Sequence, residues 1–185
     1  MIRYLCLYLT DGRLRAALKA IGAAGPALGD LAKNPGDAPR FFRPHLLRFS
    51  AVRREPARAS AGEVSPARGA LPAAAADFTA RLEKFFNDLA LQKTAIDPAL
   101  EQALLYLQAA CAEAPRLLST GSRAGALEKI RGLSAVGART LRIARDAALA
   151  RATDFPQNLK FCSIYSGLDA VFEAFERCAV ALHES

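Results

Sequence analysis

From Phe161 to Leu182 the apolar residues Ile164, Leu168, Val171, Phe172, Phe175, Ala179 and Leu182 recur at steps of three and four. At helical pitch they fall on one stripe, so this segment is an amphipathic helix that must bury a face against other helices. A second stripe is acidic. Asp169, Glu173 and Glu176 follow one another turn by turn. At about 100° per residue they stand beside the apolar row rather than on the solvated back, with Arg177 pointing away. Such carboxylates repel one another by about 0.2–0.5 kcal/mol per pair unless something positive faces them. The spacing predicts arginines of a neighbouring helix opposite this row, with a metal ion or a partner protein as the alternatives.

The same periodicity recurs upstream. Leu127, Ile130, Leu133, Val136, Leu141 and Ala144 predict a helix from about 124 to 152, with Arg131, Arg139, Arg142 and Arg145 on its other side and Asp154-Phe155-Pro156 as its break. Asp97-Pro98, followed by Glu101, reads as a cap and first turn for a helix carrying Leu100, Leu104, Leu105, Leu107 and Cys111. Pro115 kinks or ends that helix, and Ser119-Thr120-Gly121-Ser122 makes the turn after it. Beyond Pro72, Phe78, Leu82, Phe85, Phe86 and Leu89 predict a helix to about Ala95. Four long helical patterns joined by short turns, with little strand-like alternation, predict an all-α antiparallel bundle. Its core should contain Phe78, Phe85, Leu104, Leu127, Ile130, Leu168, Phe172 and Phe175.

Residues 1–72 read as a basic, proline-rich part, helical in places and otherwise irregular, attached to the bundle core at 73–185 in one domain. They hold 12 Lys+Arg against 5 Asp+Glu, whereas residues 73–185 hold 13 of each, so the net charge of +7 belongs to the N-terminal part. Leu14, Ala17, Leu18, Ile21, Leu28 and Leu31 suggest helix there, kinked or split at Gly22, Gly25 and Pro26. Asn34-Pro35-Gly36-Asp37 is a turn. From Arg40 to Arg68 seven arginines face only Glu55 and Glu63, around a short helical pattern at 45–54. With Phe41, Phe42 and Phe49 interleaved, that segment offers cations and stacking rings to a nucleic acid.

Chemistry-bearing patterns are few. The chain contains no G-x-G-x-x-G, no G-x-x-x-x-G-K-[ST] and no H-E-x-x-H. Ser119, Ser122 and Ser134 have no histidine in a triad-like pattern, so no catalytic residue is expected. His183, six residues after Arg177, has a spacing reminiscent of the Arg–His pairs of helical RNA-cleaving toxins, but reads better as a cation favoured by a helix C-terminus. Cys6, Cys111, Cys162 and Cys178 are scattered and predict free thiols in a reducing cytoplasm. The run from Ile2 to Leu9 is a poor signal peptide, and no apolar run is long enough to span a membrane. A soluble, cytoplasmic protein is expected.

With these segments laid out, residues 73–185 resemble the PhoU-like phosphate-transport regulators, in the branch of accessory proteins of low-affinity phosphate permeases. The resembling residues are Leu117-Leu118-Ser119, Leu127 to Ile130, Ile143 to Leu149, and above all Ile164-Tyr165 leading into Leu168-Asp169, Glu173, Glu176-Arg177-Cys178 and Ala181. Before Pro72 the resemblance extends only to Ser65-Pro66, as a turn opening the third helix. It implies a non-enzymatic all-helical regulator that works by protein–protein contact with a phosphate permease or its regulator. Peripheral membrane association through that partner and a homo-oligomer are further implications. In that family acidic motifs on several helices together hold iron or zinc. Asp169, Glu173 and Glu176 match one such motif and are the metal-ligand candidates. The second acidic pair falls near Gly137 and Leu141, with no Asp or Glu between Glu128 and Asp146, and the first falls within Arg40 to Glu63. The chain therefore reads as a divergent member with degenerate metal sites and no cofactor, iron or zinc being the alternative. The alternative function is a basic helical protein that associates with nucleic acid through Arg40–Arg68.

Overall fold

Asp97 and Pro98 start a helix as their chemistry dictates. One Asp97 oxygen accepts the Leu100 N–H at 2.8 Å, and Pro98 takes a first-turn position where a missing N–H costs nothing. The Tyr165 hydroxyl donates to the other oxygen, which ties this cap to the last helix of the chain. The computed structural model describes residues 12–33, 66–93, 95–119, 121–150 and 155–184. Among them are α1 (Gly12–Lys33), α2 (Pro66–Gln92), α3 (Pro98–Glu113), α4 (Arg123–Ala150) and α5 (Phe155–Glu184). A 3₁₀ turn, Ala114–Leu118, follows α3 at the place where Pro115 disturbs it. The described residues contain no strand, and the protein is all-α.

The helices close into a ring. α1 packs on α2 and α3, α2 on α5, α5 on α4, and α4 on α3. Contacts fix the directions. Asp77 meets Arg177 while Gln92 meets Ser163, so α2 and α5 run antiparallel. Arg123 meets Leu182 while Arg145 meets Cys162, so α4 and α5 do too. α3 and α4 form a hairpin, and Gly25 and Gly29 of α1 lie against Cys111 and Gln108 of α3 in descending order. Neighbours in a ring of five cannot all alternate. The parallel pair is α1 and α2, which have residues 34–65 between them.

Inside the ring lie the rings of Phe78, Phe85, Phe86, Phe172 and Phe175, all buried, with Phe78 and Phe175 tilted at 54° and centroids 5.3 Å apart. All eight residues predicted for the core are buried. So are the seven apolar stripe residues of α5. Arg123 locks one end, donating from Nε to the Leu117 carbonyl at 2.9 Å and from Nη2 to that of Leu182 at 3.3 Å. Glu113 clamps α3 to α4, accepting from Lys129 Nζ at 2.6 Å and from Arg116 Nη1 at 2.9 Å. The Lys129 hydrogen bond, helped by Arg116, outweighs burial and holds the Glu113 carboxyl below its usual range.

Several details differ from the sequence pattern, each for a physical reason. α1 is unbroken through Gly22, Gly25 and Pro26. Pro26 is exposed, so the carbonyl it leaves without an N–H partner can be served by water. The four helices predicted for 73–185 are present as α2 to α5, and α1 joins them as a fifth, supplying Ala17, Ile21, Leu28 and Leu31 to the same core. α2 starts at Pro66 and runs through Pro72, with Leu71 buried. On α4, Val136 is 46% exposed rather than facing the core. Three consecutive steps of three from Leu127 drift about 60° each, half a turn in all. The buried line alternates steps instead, through Leu127, Ile130, Ser134, Gly137 and Leu141. The 45–54 helix and the 34–37 turn lie outside the described residues.

Gly29 tests how the α1–α3 contact tolerates bulk. An added Cβ would stand 3.0 Å from Gln108 Cδ and closer still to Nε2, the far end of a flexible side chain. Alanine gains about 0.8–1.0 kcal/mol of helix propensity over glycine. Gly29→Ala is expected to leave stability unchanged or to raise it by up to about 1 kcal/mol, read from the urea midpoint.

Candidate functional site

The acidic row of α5 faces the arginines of α4. Arg131 Nε stands 3.5 Å from Glu176 Oε1. Asp169, half-buried, lies within the field of Arg142 and Arg145. Burial, and then repulsion from Glu173 one turn on, push its carboxyl above the usual value, and the two arginines only partly offset this. The row therefore has cations opposite it, as its spacing predicts. Asp169, Glu173 and Glu176 do not converge. From first to last they span about 10 Å along one helix, and among the described residues no group of three His, Cys, Asp or Glu is placed to hold a metal ion. Zinc takes four ligands and iron commonly more, and the arginines opposite repel a cation. Among the described residues, this row offers iron or zinc no complete ligand set.

The raised Asp169 carboxyl carries a stability consequence. A group that holds its proton more tightly when folded contributes stability below its unfolded pKa and loses it as pH rises through the folded value. At neutral pH the ionised Asp169 is therefore a liability. Asp169→Asn is expected to raise stability by about 0.2–0.5 kcal/mol at pH 7, the worth of one like-charge i,i+4 pair. The gain should shrink toward pH 4, as denaturation midpoints at the two pH values would show.

Arg177, expected to point away, instead stands one turn on from Glu173 and lines a groove together with Glu173 and Glu176, and it has its own task. Its Nη2 donates to Asp77 Oδ2 of α2 at 2.8 Å, and Arg81 Nε donates to the same carboxylate at 3.0 Å. Burial works against the Asp77 charge, yet these two arginines prevail and its carboxyl titrates below the usual range. Beside this junction a groove of about 520 Å³ opens between α2 and α5. Ala70, Ala74, Val180 and Ala181 supply its apolar surface, and Glu173, Glu176, Arg177 and Glu184 its charges. Beyond the junction, a smaller hollow of about 290 Å³ is lined by Arg81, Lys84, Asp88, Ser163 and Ser166 among others.

Sequence reasoning found Asp169, Glu173 and Glu176 but missed Asp77 and the alanines opposite. Ala70, Ala74 and Asp77 are spaced four and three apart, a face legible at helical pitch once α2 is allowed to begin before Pro72.

Other reactive groups are held inert. Cys111 and Cys178 are free and buried, and burial pushes the Cys178 thiol up to about 12 and that of Cys111 further. The half-buried Cys162 is also free, its Sγ 3.9 Å from the Arg145 carbonyl, and Cys6 lies outside the described residues. Ser134 Oγ is buried with no hydrogen-bond partner, so no base activates it. No described helix is long and apolar enough to cross a membrane. Nearly all of Arg40–Arg68 lies outside the described residues. No family model matches the chain, and no curated protein or solved structure matches it either.

Proposed function

We propose that the protein is a non-enzymatic helical accessory protein, a PhoU-like regulator of phosphate transport that acts in the cytoplasm by contact with another protein and whose metal sites are degenerate. The observation that supports this most directly is the counter-charge of the acidic row. Arg131 pairs with Glu176, and Arg142 and Arg145 act on Asp169, on the helix where the family resemblance would place further carboxylates. An acidic helix face served by arginines keeps its geometry without an ion, which leaves its outer edge available for recognition. Exposed pairs of this kind are worth about 0.2–1 kcal/mol each, so they set register and partner choice more than stability.

The test is recovery of the tagged chain from cells starved of phosphate and from cells replete in it. A phosphate permease or its regulator should co-purify, in amounts that differ between the two states, and elemental analysis should find no stoichiometric iron or zinc. The reading fails if neither state yields a component of phosphate transport. It fails equally if one metal ion per chain is found and is lost on changing Asp169 and Glu173 to alanine.

A further inference from the structure

We propose that two copies of the chain pair through the outer face of α4, antiparallel about a two-fold axis. Opposite its buried line, α4 carries a row made of Gly125, Glu128, Gly132, Val136, Arg139 and Ile143, all of them exposed. Val136 is 46% and Ile143 60% exposed, so two branched apolar side chains stand in water. α3 and α5 pack on the flanks of α4 and leave the row open. Gly132 lies inside the helix, where glycine is less favourable than alanine. Nothing within the chain requires it there. A Cβ added at Gly132, or at Gly125, would meet no neighbouring atom within 4 Å, whereas one at Gly137 would strike the Phe172 ring.

The row complements itself. Ser134 is the midpoint both of Gly125 and Ile143 and of Gly132 and Val136, and the midpoint of Glu128 and Arg139 falls about 0.8 Å from it along the helix. A two-fold axis beside Ser134 therefore sets Val136 over Gly132 of the second copy, Ile143 over its Gly125, and Arg139 beside its Glu128. Glu128 and Arg139 differ by about 20° around α4, on the same edge of the row, and such an axis brings that edge against itself. They stand about 16 Å apart on one helix, too far to pair within a chain. Among the described residues neither has an ion-pair partner. Lys129 beside Glu128 is held by Glu113 at 2.6 Å, and Arg131 one turn on by Glu176 at 3.5 Å. No acid lies within a turn of Arg139 on α4. A parallel pair would set Glu128 against Glu128, so the charges select the antiparallel one. An unrelated partner would place no such demand on the row, whereas a second copy requires bulk opposite glycine and acid opposite base in one register. From Gly125 to Ile143 the contact runs about 27 Å along a helix about 10–12 Å across. That is less than the roughly 800 Å² per partner of a standard interface, so the dimer is a reversible one.

Sedimentation equilibrium of the full chain should find monomer at about 1 μM and dimer at about 1 mM. Glu128→Arg and Arg139→Glu should each weaken the dimer about tenfold, because either change sets like charges together at both ends of the contact. An equimolar mixture of the two variants should recover the dimer, since every pair across the axis is then again of opposite sign. Gly132→Leu should abolish it by filling the space that Val136 of the second copy needs, while the melt of the dilute monomer stays unchanged or rises. A monomer at every concentration, a dimer indifferent to both single charge changes, a mixture that associates no better than its components, or a dimer that persists in Gly132→Leu would each overturn the assignment. The pairing does not involve the acidic row of α5, so the accessory contact proposed above holds or fails separately.

Discussion

Phe172→Ala is expected to cost about 3–5 kcal/mol in chemical denaturation, a large share of the stability that a single domain commonly has to lose. Phe172 is 2% exposed and lies on the face of α5 that meets α4, where its ring end sits over Gly137. Truncation removes the transfer free energy of the ring and leaves a void that rigid helices on both sides cannot fill by collapse. A loss below about 1 kcal/mol would mean that the ring is not packed between α4 and α5 as described.

Gly137→Ala, the reciprocal change, adds rather than removes a group. A methyl at Gly137 would stand 2.8 Å from both Cε atoms of Phe172 and closer still to Cζ. The neighbour at Gly29 is the free end of Gln108, which can swing aside. Phe172 is an aromatic ring closed in by the core, with only two side-chain torsions to adjust. Alanine gains about 1 kcal/mol in helix propensity, and overpacking costs about 1–3 kcal/mol. A net loss of about 1–2 kcal/mol is expected. Combining Gly137→Ala with Phe172→Leu, which removes the outer ring atoms, should cost clearly less than the sum of the two single changes. Additive losses would show that the methyl and the ring do not meet.

That pair also shows where a sequence stops being readable. The stripe from Ile164 to Leu182 was legible because burial of one helix face imposes its own period on the residues that carry it. Asp97-Pro98 was legible because a cap is a local bond, closed within four residues. Gly137 offered nothing of the kind. Its reason for being glycine is a ring 35 positions later on another helix, and only the packed pair shows it. The candidate site divides in the same way. The acids of α5, and arginines opposite them, followed from spacing and sign. Asp77 and the two alanines belong to the site because α2 crosses there, and a proline at position 72 suggested that α2 had not yet begun. Arg131 and not Arg139 meets Glu176, a choice set by the antiparallel register of α4 on α5, which puts Arg139 about 12 Å further along.

The order of the helices around the ring has a consequence for how the chain comes into being. α2 is complete at Gln92, but its antiparallel partner α5 is complete only at Glu184. A ribosome adding about 5–20 residues per second needs roughly 5–18 seconds to make the 92 residues between them. Throughout that interval Phe78 and Phe85, on the way to a seam that α5 alone can close, have no Phe175 or Gly167 to meet. α3 and α4 can form their hairpin as they emerge, whereas α2 has α1 to lie against but its seam for α5 stays uncovered. The nascent chain is therefore most in need of a chaperone in the time between its second helix and its fifth.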